Sequence, residues 1–170
     1  LFEGDGTAPF IEEMARSLVA RGHRVDVVLP AHPGLRRGVE AGLRFFPYAY
    51  APLPGLNVWG YALSMNADRD LKWRTLLVAP FAILATSHAV SRRLRAEPYD
   101  VVHAHWVVPG GFLSRGPARV AHTPLVISLH GSDIFGAERT ALVGWAARRA
   151  FEAAGAVTAC SSDLRDRALR

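Results

Sequence analysis

The sequence is poor in cysteine and in lysine, and both scarcities exclude classes of protein. Cys160 is the single cysteine among 170 residues, which excludes an intramolecular disulfide and a zinc site built on several cysteines. Lys72 is the single lysine, so the net charge of +5 rests almost entirely on arginine. The chain also lacks zinc-finger spacing and basic stretches interleaved with aromatic residues, and we therefore expect no nucleic acid as a partner.

Long apolar runs are missing as well. The longest, from Thr75 to Thr86, has about 12 residues and contains Pro80, whereas a helix that spans a bilayer needs about 20. No basic segment followed by an apolar one precedes the first predicted helix, so no secretory signal is predicted. Half of the residues are apolar and 21% are charged, which is typical of a domain with a packed core. We expect a cytoplasmic protein.

Apolar residues recur in a pattern that alternates helices with strands. Thr7 to Arg21 has one apolar face at helical spacing, Gly22 is suited to end that helix, and Arg24 to Pro30 is a β-branched run typical of a buried strand. Strands that alternate with helices imply an α/β fold with a parallel sheet covered by helices on both faces. Further helices are predicted over 68–96, 111–121, 138–154 and from 162 onward, and further strands over 43–46, 100–105, 125–130 and 156–160.

The ends of the chain do not fit a complete domain of this kind. The strand that would precede the first helix is missing apart from Leu1 and Phe2, and the chain stops at Arg170 within the last predicted helix. We therefore expect a domain that is truncated at both ends.

Polar, glycine-containing segments lie where the predicted parallel strands end. They are Gly4–Pro9, His103–Gly111 and His130–Asp133. Functional groups of parallel α/β folds gather at the carboxyl ends of the strands. We therefore expect these segments to border one crevice.

Two of these segments each have a functional and a structural interpretation. The backbone N–H groups of the segment from Gly4 to Thr7 can bind a phosphate at the start of the first helix, or Thr7 can simply cap that helix. His130 can donate a hydrogen bond or carry charge near neutral pH, or it can close its strand while Ser132 or Asp133 caps a turn.

His103 and His105 are two residues apart and would lie on the same face of a strand. With His130 or Asp133 they could form the metal site of a metal-dependent hydrolase. They could instead both line a substrate pocket, or only His105 could reach the crevice. A non-catalytic module that binds a nucleotide or a phosphorylated ligand is a further alternative. Trp106 is placed to stack on a sugar or an apolar group.

Two other features lie outside these segments. Cys160 ends the fifth predicted strand, and we expect it to be an inert, buried thiol. Arg92, Arg93 and Arg95 lie near the end of the long helix, where basic side chains interact favourably with the helix dipole. The same arginines could contact the head groups of an anionic membrane.

Four segments together resemble the N-terminal domain of glycosyltransferase family 4. They begin at Gly6, Tyr99, Pro124 and Ala156, and they read GTAPFIEEMARSLVARGHRVDVV, YDVVHAHW, PLVISLHGSD and AVTACS. The resemblance covers nearly the whole chain and is weakest over residues 31–96. It implies a Rossmann-like half of a two-domain GT-B enzyme, which is a retaining glycosyltransferase. Such enzymes transfer a sugar from a nucleotide-diphosphate donor to an acceptor without a required metal or other cofactor.

The resemblance also implies roles for individual residues. Residues 1–170 would form the acceptor-side domain, and a C-terminal domain, absent here, would bind most of the donor. Gly6, with Thr7 beside it, matches the glycine whose amide contacts the donor diphosphate, although Asp5 replaces the glycine that precedes it in the family. His130 matches the catalytic histidine that reaches the transferred sugar.

The remaining expected site residues border the acceptor. His105 and Trp106 match the loop beside it, and Gly110, Gly131, Ser132 and Asp133 are expected along the same cleft. The expected partners are a nucleotide-diphosphate sugar and an acceptor that is a sugar, a lipid-linked molecule or a small molecule. Peripheral association with the anionic inner face of a membrane is a further expectation.

Overall fold

The computed structural model describes residues 9–32, 38–40, 42–51 and 69–170. The chain divides into two compact units, which are Leu1–Thr86 and Ser87–Arg170. The described strands form two sheets of three strands each. The predicted phosphate loop, with Asp5, Gly6 and Thr7, lies outside the described residues.

The first unit has a helix followed by a small mixed sheet. Its elements are α1 (Pro9–Ala20), β1 (Val25–Pro30), β2 (Val39–Glu40) and β3 (Leu43–Tyr48). The strand order is β1-β3-β2, with β1 and β3 parallel and β2 antiparallel to β3. Ala15 of α1 is buried with Leu29, Leu43 and Phe45 of the two parallel strands. This core places the apolar face of α1 on the sheet, as its spacing predicts.

An ion pair joins the two parallel strands of this unit. Asp26 and Arg44 face each other in the strand register. The Arg44 guanidinium donates two hydrogen bonds to the Asp26 carboxylate, from Nε to Oδ1 at 2.6 Å and from Nη2 to Oδ2 at 2.8 Å. The Asp26 side chain is only 3% exposed. Its charge is therefore balanced by a two-bond contact rather than by water.

The long predicted helix is confirmed as α2 (Arg69–Ala96), with Pro80 inside it. Near its end, the Arg93 guanidinium donates hydrogen bonds to Glu97 and to the Tyr99 hydroxyl, each at 2.8 Å. Arg92 and Arg95 are exposed. Membrane contact by these arginines stays a prediction. In the part of the chain that the structure describes, no helix has the length and apolar character to cross a membrane.

The second unit continues with parallel strands and helices. Its strands β4 (Val102–His105), β5 (Leu125–Leu129) and β6 (Ala156–Ala159) lie in the order β4-β5-β6, and both pairs are parallel. Leu125, Ile127 and Leu129 of the central strand alternate into the core, where Ala147 and Ala150 are also buried. Between and after these strands lie the helices α3 (Phe112–Val120), α4 (Ser132–Arg139), α5 (Ala141–Phe151) and α6 (Ser162–Ala168).

The predicted α/β architecture with parallel strands is confirmed, whereas several details differ. The patterns did not predict the short β2 or α4, and the described strands are distributed over two sheets rather than one. The prediction of a buried Cys160 was wrong, because its thiol is exposed. Among the described strands β6 pairs only with β5 and lies at the edge of its sheet. Residues next to it, such as Cys160, are therefore less covered than residues next to a central strand.

Candidate functional site

The candidate site lies where β4 and β5 end. The two strands are parallel neighbours, with His105 in register with Ser128. The backbone continues this pairing past β4, because the Trp106 N–H donates a hydrogen bond to the Ser128 carbonyl at 2.9 Å. The ends of the two strands therefore bring His105 and Trp106 next to His130, as parallel pairing predicts.

Four rings meet where β4 and β5 end. They belong to His103, His105, Trp106 and His130, and we call these residues the histidine cluster. His105 Nδ1 and His130 Nε2 are 3.0 Å apart, which is a hydrogen bond. The His105 ring centroid is 4.6 Å from that of His103 and 5.3 Å from that of His130. The Trp106 ring lies 4.8 Å from the His130 ring. Each histidine therefore has its orientation restricted by a neighbouring ring.

Hydroxyl groups extend the cluster across the sheet. His103 Nε2 is hydrogen-bonded to Ser128 Oγ at 2.7 Å, and Ser128 Oγ is 2.7 Å from Thr158 Oγ1. The strand register places Ser128 opposite Thr158. Sequence reasoning missed both hydroxyls. The available signal was a polar residue at an alternate position of an otherwise apolar strand, because alternate side chains share one face of a sheet.

The three histidines are less basic than in water. The pKa of His105 is lowered to about 4, mainly by burial and also by the nearby His103 and His130, whose imidazolium forms would repel its charge. Burial also lowers the pKa of His103 and of His130, and for His130 the Asp133 carboxylate partly opposes this effect. Near pH 7 the cluster is therefore composed mainly of neutral imidazoles that can each donate one hydrogen bond and accept another.

Asp133 connects the two strand ends through their backbone. Its Oδ2 accepts a hydrogen bond from the Val107 N–H at 2.8 Å, and its Oδ1 accepts from the N–H groups of Gly131 at 3.0 Å and His130 at 3.3 Å. The residue is only 5% exposed. Its carboxylate thus binds three amides on both sides of the cluster, which is a structural role, and its expected contact with the acceptor stays a prediction.

The backbone around the cluster has strict requirements. A Cβ on Gly110 would collide with the carbonyl oxygen of His105. Gly131 has φ +99°, which a residue with a side chain rarely adopts. Trp106 itself has φ 63°, an uncommon and strained conformation for a bulky residue. Ser132 is exposed at the start of α4, so it remains accessible to a ligand.

The metal site considered as an alternative is not assembled. Among the described residues, no group of three histidine, cysteine, aspartate or glutamate side chains is arranged to hold a metal ion. The physical reason is that the candidate ligands already bind each other or the backbone. His103 Nε2 contacts a hydroxyl, His105 Nδ1 contacts His130 Nε2, and the Asp133 oxygens contact amides.

An open groove of about 440 Å³ lies elsewhere in the second unit. It is lined by parts of β6, α5 and α6, including Phe151, Val157 and Arg165. Ser161 also lines it and caps α6 by accepting a hydrogen bond from the Leu164 N–H at 3.2 Å. None of the four rings of the histidine cluster lines this groove. The site is therefore identified by its chemistry and its place at the strand ends.

Comparison with known proteins identifies the family of this chain. Residues 5–170 match the sequence profile of the glycosyl transferase 4-like domain, and this range contains the whole histidine cluster. No protein of curated function gives a significant match. Because the profile covers nearly the entire chain, this protein belongs to the glycosyl transferase 4-like domain family and has a glycosyltransferase-type function.

Proposed function

We propose that this chain is the acceptor-side, N-terminal domain of a retaining glycosyltransferase. A second, C-terminal domain would bind most of a nucleotide-diphosphate sugar, and transfer would take place between the two domains. The observation that carries this proposal is the place of His130 at the carboxyl ends of parallel strands, where its imidazole is hydrogen-bonded to His105 and its backbone N–H to the buried Asp133 carboxylate. Membership in the family supports the reaction class.

In the proposed reaction, the bond between the anomeric carbon and the diphosphate oxygen breaks. A bond from that carbon to the acceptor hydroxyl oxygen forms on the same face, and the acceptor proton leaves with the diphosphate. His130 would donate a hydrogen bond to the transferred sugar or to the charge that develops on the departing diphosphate. A donor that is already oriented stabilises such a transition state without reorganisation.

The other site residues have supporting roles in this proposal. Trp106, whose ring packs on His130, would offer an apolar face to a sugar ring of the acceptor. The amides of Gly6 and Thr7 would contact the diphosphate, as the family pattern implies. These groups of this chain are all neutral. The positively charged groups that balance the phosphates would therefore come from the second domain.

The test uses the full-length protein that contains this chain. Uridine, guanosine and adenosine diphosphate sugars are each incubated with sugar, lipid-linked and small-molecule acceptors, and the anomeric configuration of the product is read by NMR. We expect an α-linked product from an α-linked donor, with a rate that a chelator does not change. A product of inverted configuration would contradict the proposed mechanism.

Two other outcomes would favour the alternatives. Hydrolysis without transfer that stops on chelation, together with stoichiometric bound zinc, would favour a metal-dependent hydrolase. Tight nucleotide binding by residues 1–170 alone, without any transfer by the full-length protein, would favour a non-catalytic binding module. Either result would overturn the assignment of this chain as the acceptor-side domain.

A further inference from the structure

His105 is close enough to His130 to determine how that ring is held. The only ring atom of His105 for which a hydrogen bond is described, Nδ1, contacts His130 Nε2 at 3.0 Å. Two neutral imidazoles that share such a contact have one proton between them. If His105 Nδ1 donates, His130 Nε2 accepts, and the ring proton of His130 lies on its own Nδ1. If His130 Nε2 donates, the ring proton of His130 lies on that Nε2 instead. The tautomer of one ring therefore determines the tautomer of the other.

His105 is itself held on several sides. Its ring is stacked on that of His103, and Ser128 fixes His103 through a hydrogen bond of 2.7 Å. Its carbonyl oxygen faces Gly110 so closely that no side chain fits there. A residue that is fixed in this way can transmit its orientation to the ring that it contacts, which is how supporting residues align catalytic groups.

We infer that His105 is a positioning residue that holds the His130 imidazole in one orientation and one tautomer. This inference rests on the proposed function, because it assigns to His105 a place in the support of the group that would act on the sugar. It gives His105 no contact with the reacting atoms. The titratable and charged groups that face His105 are His103 on its own strand and His130 at the end of β5, and the Asp133 carboxylate on α4 faces His130.

Three substitutions separate positioning from simple packing. In His105→Asn the side-chain amide occupies the place of the imidazole Nδ1, so it can preserve the contact with His130. In His105→Phe the ring remains and can still stack, but the contact is lost. In His105→Gln the amide extends to the place of Nε2 instead, so polarity and length are kept without the contact. Thermal unfolding followed by circular dichroism verifies that each variant folds.

The direct readout is the tautomer of His130, measured by two-dimensional NMR of the imidazole nitrogens in ¹⁵N-histidine-labelled protein. In the parent protein we expect two well-separated nitrogen shifts for the neutral His130 ring. We expect these shifts to converge in His105→Phe and in His105→Gln, because both tautomers become populated, and to stay separate in His105→Asn. Unchanged His130 shifts in the folded Phe or Gln variant would overturn the inference.

The second readout is transfer by the full-length enzyme. His105→Phe should lower kcat about tenfold or more while the KM for the acceptor changes little, and His105→Asn should restore most of the loss. Equal losses in both variants with unchanged His130 shifts would mean that His105 acts in some other way. If the parent enzyme transfers no sugar while the shifts still converge in His105→Phe, the proposed function fails and the positioning role stands.

Discussion

Each unit contains a carboxylate that is buried in the part of the chain that the structure describes, and the two carboxylates have different partners. In the first unit Asp26, 3% exposed at its side chain, is held by the guanidinium of Arg44 on the neighbouring strand. In the second unit Asp133, 5% exposed, is held by three backbone amides. A buried charge needs such partners because removing it from water is unfavourable. The first carboxylate joins two strands, and the second orients two loops.

This difference decides what a mutation can remove. Arg44 contacts Asp26 through its side chain, so both members of this pair can be replaced by apolar residues that suit a strand. The partners of Asp133 are amides at Val107, His130 and Gly131, which remain after any substitution of Asp133. An ion pair between two side chains can therefore be replaced as a whole. The backbone amides that bind Asp133 stay in place after a substitution, so they continue to need a hydrogen-bond acceptor at position 133.

The largest loss of stability is expected for Arg44→Ala. This change leaves the Asp26 carboxylate buried without its guanidinium, and removing one partner of a buried pair costs about 3–5 kcal/mol in unfolding free energy. Urea denaturation followed by circular dichroism measures the loss. The double variant Asp26→Val with Arg44→Leu should recover most of it, since no buried charge remains. If Arg44→Ala unfolds at the same urea concentration as the parent protein, the pair has no stabilising role.

A smaller loss is expected for Asp133→Asn. The amide offers one oxygen where the carboxylate offers two, and its NH₂ group then faces a backbone donor. Leaving a buried donor unsatisfied costs about 1–3 kcal/mol. The matched control is Asp163→Asn on α6, where the carboxylate is 72% exposed and pairs with Arg167. The urea midpoint should fall for Asp133→Asn and change little for the control, and equal midpoints would contradict the role assigned to Asp133.

The smallest loss is expected for alanine at two glycines that both have a positive φ. Gly131 has φ +99° and Gly22 has φ +89°, and a Cβ at either place meets no atom closer than 3.7 Å. Each change should therefore cost about 1–2 kcal/mol, from conformation alone. Gly131 adjoins His130, so only Gly131→Ala should also lower kcat of the full-length enzyme. Equal kcat values in the two variants would show that the loop does not orient His130.

Much of the fold could be predicted because its signals are local. The apolar face of α1 and the β-branched run of β1 are regular patterns, and they gave correct element types with boundaries that differ by one or two residues. α4 was missed because it begins directly after Gly131, contains Gly136 and buries few apolar side chains. The two residues of β2 are too few to show any alternation.

The candidate site could be predicted only in part. Parallel strand ends lie side by side, so the meeting of His105 and Trp106 with His130 follows from the strand order. The direction of the Asp133 carboxylate does not follow from the strand order. The same sequence pattern is compatible with a carboxylate that faces a cleft and with one that faces backbone amides, as it does here. Ser128 and Thr158 were missed because their contact depends on strand register, which no single segment specifies.

The central claim is that His130 takes part in sugar transfer, and the most direct measurement compares two histidine variants of the full-length enzyme. His130→Ala should lower kcat about a hundredfold or more, since it removes an oriented hydrogen-bond donor from the site. His88→Ala, at an exposed position on α2, should leave kcat unchanged. A folded His130→Ala enzyme that transfers sugar as fast as His88→Ala would contradict the account.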